Sequence, residues 1–113
     1  MIKKWNKLVR DRMIENLTTK GINIKVSILQ DEEYQKALNE KLLEEANEVV
    51  NSETKEELTE EIADLMEVME TIIKNRNISL EEIKKVKEEK KAKRGGFDDK
   101  VFLISTEEKE LEK

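Results

Sequence analysis

The sequence predicts a mainly α domain: an antiparallel helix bundle with a small two-stranded β ribbon, completed by oligomerisation. Three observations point there. Two long segments, Asp31 to about Asn51 and Thr54 to about Lys74, repeat their apolar residues at three- and four-residue steps, so each carries one stripe for burial. Two capping-box pairs, Thr54 with Glu57 and Ser79 with Glu82, mark helix starts. The stretch Ile22 to Leu29 instead alternates Ile22, Ile24, Val26 and Ile28 with polar residues, in strand fashion.

Taken in order, Leu8 to Leu17 reads as a short helix. Residues 22–29 follow as the strand, and the apolar run Val101 to Ile104 is the partner expected to pair with it. The second helix carries Tyr34, Ala37, Leu38, Leu42, Ala46, Val49 and Val50. The third carries Leu58, Ile62, Leu65, Met66, Met69, Ile72 and Ile73. The last begins at Ser79, shows Leu80, Ile83 and Val86, then loses its stripe in KEEKKAKR and stops at Gly95-Gly96. With no linker, repeat or targeting segment, residues 1–113 read as one domain.

Composition narrows the chemistry. The chain of 113 residues has no Cys and no His. It therefore has no thiolate nucleophile, no imidazole base, and no zinc site built on nitrogen or sulfur. Carboxylates, amines, hydroxyls and bound ions remain. Hydrophobic residues make up 36 % and four residues are aromatic, so the core is thin and a second copy is expected to add burial. No stretch suits a membrane span or a signal peptide, which gives the expectation of a cytoplasmic protein without membrane partners.

The net charge of −5 conceals segregation: residues 1–30 carry +5, residues 31–73 carry −12 and residues 74–113 carry +2. An acidic body is the wrong sign for gripping phosphates of nucleic acid, so no nucleic-acid partner is expected. It is the right sign for cations.

Placing the acids on their helices shows where. With Tyr34 at 0°, Glu45 falls at about 20° and Glu48 at about 320°, inside the apolar stripe, with Glu44 at its edge. With Leu58 at 0°, Glu61 falls at about 300°, between Val68 and Ile72, and Asp64 at about 240°, just outside. A short connection makes the two helices antiparallel neighbours, so Glu45 and Glu48 can face Glu61 and Asp64. Four facing carboxylates repel unless a cation or protons neutralise them. Oxygen-only donors suit Mg²⁺ or Mn²⁺. The competing reading is ordinary ion pairing: Lys41 lies one turn before Glu45 on the same side, and 27 acidic residues make such spacings common.

These residues resemble a known family. Glu44-Glu45-Ala46-Asn47-Glu48, followed after twelve residues by Glu61-Ile62-Ala63-Asp64, is similar to the EExxE and ExxD motifs of the MazG-like all-α nucleoside triphosphate pyrophosphohydrolases. Asn6-Lys7-Leu8-Val9-Arg10-Asp11, Lys41-Leu42-Leu43, Leu65-Met66-Glu67-Val68 and Lys93-Arg94-Gly95-Gly96-Phe97 extend the likeness toward the phosphoribosyl-ATP pyrophosphohydrolase-like branch. One departure is Met13 after Arg12, where relatives have an Ile-Pro turn.

The resemblance implies hydrolysis of the α–β phosphate bond of a nucleotide to a monophosphate and pyrophosphate, with Mg²⁺ held by two helices in a homodimer or homotetramer. Such chemistry asks a protein mainly for positioning and charge neutralisation. Glu45, Glu48, Glu61 and Asp64 are then the metal candidates, with Glu44 and Glu45 as catalytic candidates; Glu44 either adds a ligand or orients the attacking water. Arg10, Arg12, Lys91 and Arg94 are the phosphate-binding candidates. Lys91 also suits a helix C-terminus without any ligand. Trp5, Tyr34 and Phe97 can stack on a base but are expected in the core. A non-catalytic helical adaptor on the same fold is the alternative.

Overall fold

The computed structural model describes residues 1–109, among which there are four helices: α1 (Met13–Thr19), α2 (Asp31–Val50), α3 (Lys55–Asn75) and α4 (Leu80–Arg94). They fall into two compact units, one from Met1 to Ser79 and a second starting at Leu80. None of the described helices is long and apolar enough to cross a membrane.

The first unit is organised by the α2–α3 hairpin. At 20 and 21 residues the two helices are each about 30 Å long, and a connection over residues 51–54 turns the chain back on itself. Thr54 caps α3 as its sequence predicts, its side chain accepting from Glu57 N–H at 3.1 Å. The reciprocal bond differs by one residue: Glu57 Oε2 accepts from the N–H of Glu53, not of Thr54. The connection itself is tied down by Ser52 Oγ donating to the Glu48 carbonyl at 2.8 Å.

Between the helices lie Leu38 and Val68, at 4 % and 9 % exposure, and the carboxylate-bearing Glu45 at 8 %. Tyr34, Ala37, Leu42, Ala46, Val49, Leu65, Ile72 and Ile73 flank them half-buried. The α3 stripe is wider than one partner helix covers. By helical position it runs from Val68 at about 280° round to Met66 at about 80°. The side near Val68 and Ile72 is turned inward, while Leu58, Ile62, Met66 and Met69 keep 38–54 % exposure.

Three expectations are corrected: the ribbon, the burial of the aromatics and the start of the first helix. The β ribbon is absent: among the described residues neither 22–29 nor 101–104 forms a strand. Most of the apolar side of the first segment is uncovered among the described residues: Ile24 is half-buried, but Ile22, Val26 and Ile28 keep 48 %, 53 % and 82 % exposure. A two-stranded ribbon lacking a buried face is marginal in water. Two of the three aromatics expected in the core lie outside it, Trp5 at 61 % and Phe97 at 99 % exposure, whereas Tyr34 is half-buried.

The first helix also starts later than the Leu8–Leu17 expectation. Asn6 takes a left-handed backbone (φ 45°), and Lys7 and Arg10 reach to α2 and α3, so the chain becomes helical only at Met13. It ends at Gly21 (φ 77°), where the N–H groups of Gly21 and Ile22 return to the carbonyls of Thr18 and Leu17. In the second unit, α4 closes at Gly95 (φ 81°), whose N–H donates to the Lys91 carbonyl at 2.8 Å.

Candidate metal centre

The hairpin brings Glu45, Glu61 and Asp64 together, one carboxylate oxygen of each lying within 4.8 Å of the others. The helical geometry explains why. Glu45 occupies the middle of the α2 stripe and is buried, while Glu61 and Asp64, one turn apart on α3, are half-buried on the side packed against α2.

Glu48 is exposed and is not one of these three. It still belongs to the same electrostatic neighbourhood. The Glu61 carboxyl is raised above its ordinary value of 4.5 by desolvation and then by the charges of Glu48, Asp64, Glu45 and Glu60. A carboxyl so placed prefers either a proton or a cation beside it.

The chain supplies cations of its own. Arg10 Nη2 donates to Asp64 Oδ1 at 2.6 Å, and Lys41 Nζ stands 3.5 Å from Glu45 Oε1 and 3.3 Å from Glu44 Oε2. The ion-pair reading of Glu45 is thus present alongside the carboxylate cluster. Lys7 Nζ donates to Glu44 Oε1 at 3.0 Å. Partial burial works against the Glu44 charge, but its bonds to Lys7 and Lys41 prevail and hold the carboxyl below its ordinary value. The sequence had offered Lys7 only as part of a motif; its tie to Glu44 spans 37 residues and carries no local periodic signal.

The donor set fits a hard divalent cation. Around an octahedral Mg²⁺, with bonds of about 2.1 Å, oxygens lie about 3 Å apart when adjacent and about 4.2 Å when opposite. One oxygen of each of the three carboxylates lies within 4.8 Å of the others, near enough for side-chain rotation to bring all three around one ion. Three ligands also leave positions for water or phosphate oxygens, as Mg²⁺ sites usually do. Of the cation candidates, Arg10 is on Asp64, Arg12 is exposed at the start of α1, and Lys91 and Arg94 lie in the last turn of α4 in the second unit.

The phosphoribosyl-ATP pyrophosphohydrolase family model matches residues 12–91 of this chain. The chain belongs to that family. As a pyrophosphohydrolase it is a hydrolase acting on phosphoanhydride bonds of nucleotides. The matched span of the pyrophosphohydrolase contains all five acidic candidates, Arg12 and Lys91, while Lys7, Arg10 and Arg94 lie outside it. Searches of curated proteins and of solved structures returned no match.

Proposed function

We propose that the protein hydrolyses the α–β phosphate bond of a nucleoside triphosphate, or of a related nucleotide such as phosphoribosyl-ATP, in a Mg²⁺-dependent reaction releasing a monophosphate and pyrophosphate. The convergence of Glu45, Glu61 and Asp64 between α2 and α3 carries this reading. These three would hold the ion, with exposed Glu48 as a fourth ligand; Mn²⁺ fits the same oxygens. When bound, the ion supplies charge neutralisation on the phosphate chain.

In this reading the protein groups do the rest. Water attacks the α-phosphorus, the bond from that phosphorus to the bridging oxygen breaks, pyrophosphate leaves, and the water's proton passes to bulk solvent. Glu44, kept ionised by Lys7 and Lys41, is a weak proton acceptor but a firm hydrogen-bond acceptor, which suits orienting the water. Glu45, buried beside it, is the second catalytic carboxylate. Arg10 and Arg12 are assigned to the phosphates, and Lys91 and Arg94 remain phosphate-binding candidates from the sequence alone.

A homodimer or homotetramer is part of the same proposal. The uncovered stripe of Leu58, Ile62, Met66 and Met69 supports it, since monomers seldom leave a contiguous apolar face in water. The deciding experiment measures pyrophosphate release from a panel of nucleoside triphosphates and phosphoribosyl-ATP with Mg²⁺. At least one substrate is expected to turn over, and Glu48→Gln and Asp64→Asn to abolish that turnover with helicity intact. Silence toward the whole panel, or a fully active Asp64→Asn, overturns the proposal.

A further inference from the structure

We propose that Trp5 is the stacking platform for the nucleotide's base, an inference that rests on the nucleotide reading of the acidic site. Trp5 is the chain's single tryptophan, yet it keeps 61 % exposure although apolar burial is scarce. Two ammonium groups stand over the ring: Lys3 Nζ at 4.0 Å from the centroid and Lys7 Nζ at 5.4 Å. Such cations are attracted to the electron-rich face of an indole, and a base stacking on that face takes the place of the mobile Lys3 ammonium.

Lys7 gives the ring its address. The same ammonium that faces Trp5 donates to Glu44 at 3.0 Å, and Glu44 adjoins Glu45 of the three-carboxylate cluster. One lysine head group therefore touches both the exposed ring and the rim of the acidic centre. A nucleotide whose phosphates lie at the carboxylates presents a flat base at its other end, and a flat exposed ring at that rim is the complementary surface. Lys3 and Lys7 add positive charge beside a ligand carrying several negative ones. Stacking accepts any base because every base has a π face, so this platform confers affinity for nucleotides over bare polyphosphates without selecting one base.

The single tryptophan makes the test direct. Wild-type protein is titrated with Mg²⁺ and the α,β-methylene analogue of ATP, and separately with tripolyphosphate, following tryptophan fluorescence and binding heat. The expected result is saturable quenching by the analogue only, with Trp5→Leu binding the analogue about tenfold more weakly and tripolyphosphate unchanged. Trp5→Phe is expected to recover part of the loss. Equal weakening toward both probes would show that Trp5 acts by propping Lys7, and unchanged affinity would show that it plays no part; either overturns the platform. Should neither probe bind wild-type protein, the nucleotide reading itself fails, and the platform with it. Far-UV circular dichroism of Trp5→Leu is expected to match wild type, since the ring is outside the core.

Discussion

Removing the Arg10 charge is expected to tighten divalent-metal binding and weaken nucleotide binding, two effects of opposite sign from one substitution. Arg10 holds Asp64 Oδ1 at 2.6 Å, so an ion recruiting Asp64 competes with the guanidinium for the carboxylate. The side chains are 61 % and 39 % exposed, which places the pair among solvent-screened bridges worth about 0.5–1 kcal/mol. Releasing that interaction converts to about a two- to fivefold gain in metal affinity for Arg10→Gln. Calorimetric titration with Mn²⁺ at low ionic strength, without nucleotide, measures it. The gain should shrink as salt is raised, because the competing bridge is screened. In the proposed reaction Arg10 also binds phosphate, so with nucleotide present the sign is expected to reverse. If Arg10→Gln binds Mn²⁺ no better than wild type, or worse, the competition argument is wrong and Arg10 instead holds Asp64 in a ligating position.

Two further outcomes follow from the hairpin. Glu61 has its folded-state pKa raised, so its ionised form is a cost to the folded state above that pKa and the cost is relieved as pH falls toward 4.5. Glu61→Gln should therefore raise the melting temperature of metal-free protein near neutral pH, lose this advantage on acidification, and abolish the extra stability that Mg²⁺ gives wild type; a lower melting temperature at neutral pH would contradict this. Met66→Glu, at 54 % exposure on the uncovered stripe of α3, should lower the oligomeric mass seen by sedimentation equilibrium while keeping helicity; an unchanged mass would place the contact elsewhere.

Most of the hairpin was legible because its signals are local. Thr54 and Glu57 meet as their spacing requires, and α2 and α3 end within a residue or so of where their stripes end. The geometry of the candidate site was legible for a related reason: a carboxylate such as Glu45 in the middle of an apolar stripe has to be buried or paired, and it is both. What the sequence did not disclose depends on partners far along the chain. The bonds of Lys7 to Glu44 and Arg10 to Asp64 join residues 37 and 54 positions apart, and they delay the start of α1. Alternation over residues 22–29 suggested a strand because period two marks a sheet face only when something covers it; here Ile28 stays 82 % exposed. The position of Glu48, exposed at the edge of the cluster, likewise depends on how far the helices rotate toward each other.

The rotation of α3 links these observations. Turning the middle of its stripe toward α2 would bury Leu58, Ile62 and Met69 and swing Glu61 and Asp64 away from Glu45, by their helical positions. The observed rotation leaves those apolar residues outside and points the two carboxylates inward, with Val68 buried one turn beyond Asp64. A folded chain keeps the less apolar arrangement only if its charges are compensated: Arg10 compensates Asp64 and Lys41 compensates Glu45, while Glu61 is left to a proton or a bound cation. The same packing that assembles the acidic centre thus leaves an apolar stripe uncovered. Binding an ion and covering that stripe with a second copy would both favour this rotation over its alternative, so metal binding and self-association should reinforce each other through a single helix–helix register.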